Sequence, residues 1–246
     1  MKARRDDHDV LNRVRRFWKS AGPGEAGPGG VPVLLDGKTA RTPGSKPLVL
    51  PNREAAELVA QEWEDVGDHL NSALMPATRL AFTAIDRVSQ NRQAVAGEIA
   101  RYAGSDLLCY LAESPLALVE QQTEAWRPLL DWAEGELGLK FVTAAGIVHR
   151  QQSQSTLDRV TELTLRLDDF ALAGLAWASS LFGSAILAIA LAQGRLTGEA
   201  AFSLSRLDET FQTEHWGEDA EARDRAHVLK SEALLLERWF KALDKT

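Results

Sequence analysis

Between Phe170 and Gln193 the chain reads FALAGLAWASSLFGSAILAIALAQ, without one charged side chain. By length such a stretch can span a bilayer, which takes about 20 apolar residues in a helix. A helix that is apolar all round sits either in lipid or in the middle of a protein core. Content decides between them here. The stretch is rich in Ala, Gly and Ser rather than Leu, Ile and Phe, and the pairs Ser179-Ser180 and Gly183-Ser184 fall near its centre. It predicts two short helices meeting at a turn, a central hairpin of a helical core with no integral membrane insertion. At 246 residues the chain is long enough to enclose such a hairpin in one large domain or two small ones.

Charge narrows the partners. Lys and Arg number 28 against 35 Asp and Glu, a net charge of -7. An acidic chain of this kind is poorly suited to phosphate backbones or anionic lipid surfaces, both of which need clustered cations, so no nucleic acid partner is expected. The N-terminal MKARRDDHDVLNRVRRFWKS is basic, but it carries Asp6, Asp7 and Asp9 and lacks the apolar core of a secretory signal. Mitochondrial presequences are poor in acids. The expected location is the bacterial cytoplasm, or the mitochondrial matrix for a mature eukaryotic form.

Pattern along the chain predicts an α+β fold, predominantly α, with a small β-rich N-terminal domain followed by a larger multi-helical domain. After a first basic helix, Ala21 to Val31 is a Pro/Gly stretch that reads as a loop. Val31 to Leu35 is a strand run, and Asp36-Gly37 is a two-residue hairpin signal. Lys38 to Thr42 and Pro47 to Leu50 can supply two more strands. Residues 1–50 thus form the helix plus small β-rich domain, and residues 51–246 the helical domain. Asn52 is a candidate N-cap for a helix whose apolar face is Ala56, Val59, Trp63, Val66 and Leu70. After Met75-Pro76, two helices or one bent helix are expected. Residues 105–112 read as a short apolar helix. Pro115 opens another, which Pro128 should break or restart, and Leu139 to Thr143 could be a lone strand. Further helices are expected over 155–168 and from Thr197 to about His215. In the last helix Ala222, Ala226, Leu229, Ala233, Leu236, Phe240 and Leu243 alternate by four and three, a seam expected to pack on the domain's own core.

Motifs that announce chemistry are missing. The chain has no G-x-x-x-x-G-K-[ST], no G-x-G-x-x-G between strand and helix and no G-x-S-x-G. Its five histidines, His8, His69, His149, His215 and His227, never pair at helical ligand spacing, so no metal is expected. The single cysteine, Cys109, excludes an internal disulfide and a multi-thiolate metal site, and its apolar setting predicts a buried, inert thiol. Seven tryptophans are mostly core candidates, although Trp63 and Trp216, beside acidic residues, could line a groove.

Short motifs in a fixed order carry more. Arg16-Phe-Trp-Lys19 leads to VLLDGKTARTP and LVLP, then Gln61-Glu-Trp63, Met75-Pro76-Ala-Thr78 and Thr83-Ala-Ile-Asp86. Tyr102-Ala, Asp106-Leu-Leu-Cys-Tyr110, Gln121-Gln122 and Trp126-Arg-Pro128 follow, and the end has Ser205-Arg-Leu-Asp208, Gln212 and Trp216-Gly217. No one of these is specific. Together, over nearly the whole chain, they resemble the assembly chaperones of the F-type ATP synthase α subunit from mitochondria and alphaproteobacteria.

The resemblance implies a protein that binds unassembled α subunit, shields its intersubunit surface and releases it when β arrives. It implies no catalytic residues, no cofactor and no ATP requirement. The family carries an acid after Ser-Arg-Leu in a region linked to client binding, which here is Asp208, and the candidate client-binding set is Asp208, Glu209, Gln212 and Trp216. Trp63, Asp106 and Trp126 are assigned structural places. A second reading of the acidic stretch Asp208, Glu209, Glu214, Glu218, Asp219 and Glu221 is a solvated helix end. The alternatives for the whole chain are a small-molecule enzyme of unrecognised type, which would show a deep polar pocket, and a membrane-associated helical protein.

Overall fold

Strand β2 (Val31–Leu35) places Val31, Val33 and Leu35 on a buried face and the residues between them half in solvent. In the computed structural model, which describes residues 15–146, 148, 150–217 and 220–244, it is the hub of the N-terminal sheet. β1 (Ala21–Pro23) runs antiparallel to it, with Ala21 opposite Leu35 and Pro23 opposite Val33. β3 (Lys38–Thr39) and β4 (Val49–Leu50) pair with its second and first halves. The hairpin between β2 and β3 turns at Asp36 and Gly37, with φ of 48° and 78°, the left-handed pair that a tight two-residue hairpin requires. Ala21 to Pro23, expected as loop, is a strand because an edge strand needs only backbone groups, and a proline at its end costs the ladder nothing. The first helix of the sequence reading lies mostly in residues 1–14, outside the described residues.

Helix α1 (Arg53–Glu64) begins where expected, with the Asn52 side chain accepting the Ala55 amide at 2.9 Å. It packs Ala55, Ala56, Val59, Ala60 and Trp63 onto β1 and β2. α2 (Pro76–Thr83) has proline in its first turn, and the Glu62 carboxylate accepts its first amides, Ala77 at 2.8 Å and Thr78 at 2.7 Å. Residues 84–88 are wound more widely, and α3 (Ser89–Gly104) is bent at Asn91, whose φ is -136°. The chain changes from strand to helix between Leu50 and Arg53, but α1 and α2 pack on the strands and belong with them. The first compact unit therefore extends to Asn91 and also takes in the residues from Lys241 onward, where Asn52 Nδ2 donates to Ala242 O at 2.8 Å.

The second unit, Arg92–Phe240, is built around the uncharged stretch. α6 (Asp169–Phe182) is capped by Asp168, which accepts the Phe170 and Ala171 amides at 2.8 Å. Gly183 ends it in the left-handed region, φ 62°, and Ser184 caps α7 (Ala185–Ala192). The hairpin is thus two helices meeting at Gly183-Ser184, with every residue of α7 from Ala185 to Leu191 buried. Among the described residues no helix is long and apolar enough to cross a membrane.

The chain's other helices are α4 (Leu116–Leu137) and α8 (Gly198–Ser205), which pack on the hairpin, and α5 (Gln154–Leu165), α9 (Leu207–Trp216) and α10 (Ala220–Leu243). Four expectations need correcting. Pro128 does not break α4, because it lies on the solvent face where the carbonyl it leaves unbonded meets water. Residues 105–112 are not a helix but a single tight turn, Leu107–Cys109, leading into β5 (Tyr110–Leu111). The strand expected at 139–143 is instead β6 (Ala144–Ala145), parallel to β5. The helix expected from Thr197 to His215 is two, α8 and α9, parted at Arg206, φ -117°. The seam of α10 is divided as well: Ala233, Leu236 and Phe240 are buried, while Ala222 is exposed and Ala226 and Leu229 only half covered.

Candidate functional site

α4 faces the junction of α8 and α9 with two side chains one helical turn apart. Gln122 is fully buried, and its Nε2 donates to Asp208 Oδ1 at 2.6 Å. Trp126, 1 % exposed, donates from Nε1 to Leu204 O at 3.1 Å. These two bonds bracket the break at Arg206. They explain why the helix divides there without glycine or proline: its last carbonyls and the first turn of the next helix are each held by α4. The Gln122 carbonyl is occupied too, accepting the Ala112 amide just after β5 at 2.6 Å.

Asp208 sits half-buried in the first turn of α9, beside Glu209. Negative charge is favoured there by the exposed amides of the helix N-terminus. Glu209 is exposed and pairs with Arg206 at 2.7 Å, and Gln212, one turn after Asp208, is exposed. Phe211 anchors the opposite face of α9, 4 % exposed, with the His215 ring stacked on it at 4.2 Å between centroids. Asp208, Glu209 and Gln212 thus share one stretch of α9. Trp216 ends the helix, but its side chain lies outside the described residues, as do Glu218 and Asp219. Beyond it, the first turns of α10 leave a shallow depression of about 360 Å³ over Val228 and Leu229, flanked by Glu221, Asp224 and Arg225.

Of the residues assigned structural places, Trp126 braces this site, and Trp63 and Asp106 lie elsewhere. Trp63, 5 % exposed, packs its ring 5.2 Å from that of Trp18, whose Nε1 donates to Trp63 O at 3.2 Å. Trp63 Nε1 itself has no partner among the described residues. Asp106 is wholly buried and accepts the Ser184 hydroxyl at 2.7 Å and the Ile186 amide at 3.1 Å through its two oxygens, fastening the N-terminus of α7. Burial pushes its carboxyl up to about 6, against those hydrogen bonds, which favour the ionised form. Burial also raises the Cys109 thiol, with the Asp106 charge adding to it, so a thiolate there is disfavoured.

A second depression, about 490 Å³, lies between α3 and α5 over Gly97, Ala100 and Gly104, rimmed by Arg101, Gln151 and Asp158. It is open, its rim residues Arg101, Gln151 and Asp158 are exposed, and the amide of Gln152, buried in its lining, is bonded to both backbone groups of Val142 at 2.8 Å. Sequence reasoning had no means of finding Gln122 as the partner of Asp208: the two are 86 residues apart, and a glutamine in an amphipathic helix carries no signal of burial.

The family described as ATP12 chaperone protein matches residues 15–134. The mitochondrial protein atp12 of Schizosaccharomyces pombe is 30% identical over 239 residues, covering 90% of this chain and 81% of that protein. The crystal structure of Atp12 from Paracoccus denitrificans is 39% identical, covers 93% of this chain and 97% of its own, and superposes with a TM-score of 0.86. An aspartate-to-lysine mutant of that protein matches equally, also at 0.86. Full-length likeness in sequence and in fold places this chain in the ATP12 family of ATP synthase assembly chaperones.

Proposed function

We propose that this chain binds the unassembled α subunit of the F-type ATP synthase, covers the surface that α later presents to neighbouring subunits, and so supports assembly of the catalytic head. It works by binding alone, without catalysis, cofactor, metal or ATP, in the bacterial cytoplasm or the mitochondrial matrix. The observation that carries this reading is the setting of Asp208: a half-buried acid, fixed by a fully buried glutamine, on a helix whose neighbouring Glu209 and Gln212 are exposed. A fixed acid beside exposed polar groups can meet a basic group on a partner without much ordering cost.

The test is holding of isolated α subunit. The parent should co-elute with α on size exclusion and give it up when β is added. Asp208→Lys should still fold, with melting lowered slightly because Gln122 Nε2 loses its acceptor, yet should no longer keep α in solution. A close interfacial charge pair is worth about 1.5–7 kcal/mol in coupling, and a rim pair much less. Asp208→Glu should hold α about as well as the parent. If Asp208→Lys prevents aggregation of α as well as the parent does, the acid does not face the client and the solvated-end reading replaces it.

A further inference from the structure

Gln122 meets a donor on one side and an acceptor on the other, and its amide supplies both complements. The Ala112 backbone N–H is a donor and must meet the carbonyl oxygen; the Asp208 carboxylate is an acceptor and must meet the NH2 group. The orientation of the amide is thereby fixed by its surroundings. Both hydrogen bonds are 2.6 Å long, and Gln122 is fully buried, so neither bond competes with water at the glutamine end. Trp126, one turn along α4, anchors Leu204 O on the other side of the Arg206 break. Asp208 is therefore held on a short, half-buried side chain by a rigid post, unlike Glu209, which is exposed and paired with Arg206 at the break before its helix.

We infer that Gln122 is a positioning residue for client binding: it fixes the Asp208 carboxylate at the surface of α9 and ties it to the chain leaving β5 at Ala112. This rests on the reading of Asp208 as client-facing. The physical benefit lies in the cost of association. A carboxylate already held in its binding geometry loses little freedom when the partner arrives, whereas a swinging one must be ordered at the expense of affinity. Gln122 needs no contact with the client to act in this way.

Four full-length variants separate the possibilities, with aggregation of isolated α subunit as one readout and the thermal midpoint as the other. Gln122→Glu keeps an acceptor for Ala112 but presents a carboxylate to Asp208, which then swings away. Gln122→Met is close in shape and uncharged, offers Asp208 no donor and Ala112 only a weak acceptor, and serves if the glutamate variant does not fold. Gln122→Glu combined with Asp208→Asn rebuilds the hydrogen bond in the opposite sense, since the introduced asparagine amide donates to the introduced carboxylate, but moves the charge from the surface to the interior. Asp208→Lys is the reference for a lost client contact.

The expected result is that Gln122→Glu and Gln122→Met each need on the order of tenfold more chaperone for half-suppression, the equivalent of one well-placed hydrogen-bonded contact. The double variant should melt above Gln122→Glu, because the repulsion is gone and the bond is back, but should not regain the suppression, because the surface charge is missing. Recovery of both by the double variant would make the bond purely structural and overturn the inference. Full suppression by both Gln122 variants, with Asp208→Lys inactive, would overturn it while leaving Asp208 as a client contact. Full suppression by Asp208→Lys as well would remove the client-facing reading, and the positioning role with it.

Discussion

Replacing Trp63 by arginine should destabilise the first unit rather than weaken a binding surface. Trp63 lies on the buried face of α1 with Val59 and Ala60, 5 % exposed, and its ring stands 5.2 Å from that of Trp18. A buried tryptophan removes roughly 150–250 Å² from water, which at about 25 cal/mol per Å² is about 4–6 kcal/mol. The arginine stem can recover part of that. Its guanidinium would lie on the buried face of α1 beside Trp18, and a buried charge left uncompensated there adds several kcal/mol more. Against a typical total stability of about 5–15 kcal/mol, the sum leaves the unit marginal. Differential scanning calorimetry should show the midpoint falling by on the order of 10–20 °C, at about 2–4 °C per kcal/mol for a chain of this size. Trp63→Phe is the control. It keeps an aromatic ring and discards the unpartnered Nε1, so it should cost about 1–2 kcal/mol at most. An arginine variant that melts with the parent but fails to hold α subunit would refute the reasoning and put Trp63 in the interface.

Two further outcomes follow from buried groups in the second unit. The Asp106 carboxyl is raised from 3.8 to about 6, so the folded state holds this proton more tightly than the unfolded one. Its stabilising contribution is complete below about pH 3.8 and is lost as the pH rises through 6, a change of about 3 kcal/mol. Asp106→Asn, which does not titrate, should flatten the fall in urea midpoint between pH 4 and 7 relative to the parent; equal slopes would contradict it. Gly198 is buried at the start of α8, where a Cβ would lie 2.4 Å from Ala233 O on α10. Gly198→Val should therefore push the helices apart and cost about 2–3 kcal/mol, and a urea midpoint equal to the parent's would show that α8 can shift freely.

Features written in local chemistry were legible in the sequence. Asp36-Gly37 specifies a hairpin by backbone dihedrals alone, Asn52 caps α1 with its own side chain, and Gly183-Ser184 ends one helix and caps the next. What was missed depends on partners distant in the chain. The Pro/Gly residues Ala21 to Pro23 become a strand only because β2 offers its edge. Pro128 is tolerated because it falls on the solvent face of α4, a face that only the packing of the rest of the unit defines. The break at Arg206 has no local cause, being imposed by Gln122 and Trp126 from across α4. Asp208 could be singled out only by resemblance, and the glutamine that holds it was visible merely as one half of a Gln-Gln pair.

The recruitment of the chain from Lys241 onward into the first unit has a consequence for synthesis. Asn52, which caps α1 through one end of its amide, reaches with the other to the carbonyls of Ala242 and Leu243, 190 and 191 residues later. A nascent chain emerging from the ribosome can close the intervening second unit on its own, because Arg92–Phe240 is continuous. The N-terminal unit cannot be completed in that order. Its sheet and α1 emerge first yet must wait for the residues that follow Phe240, so the part of the protein made earliest is the last to be sealed.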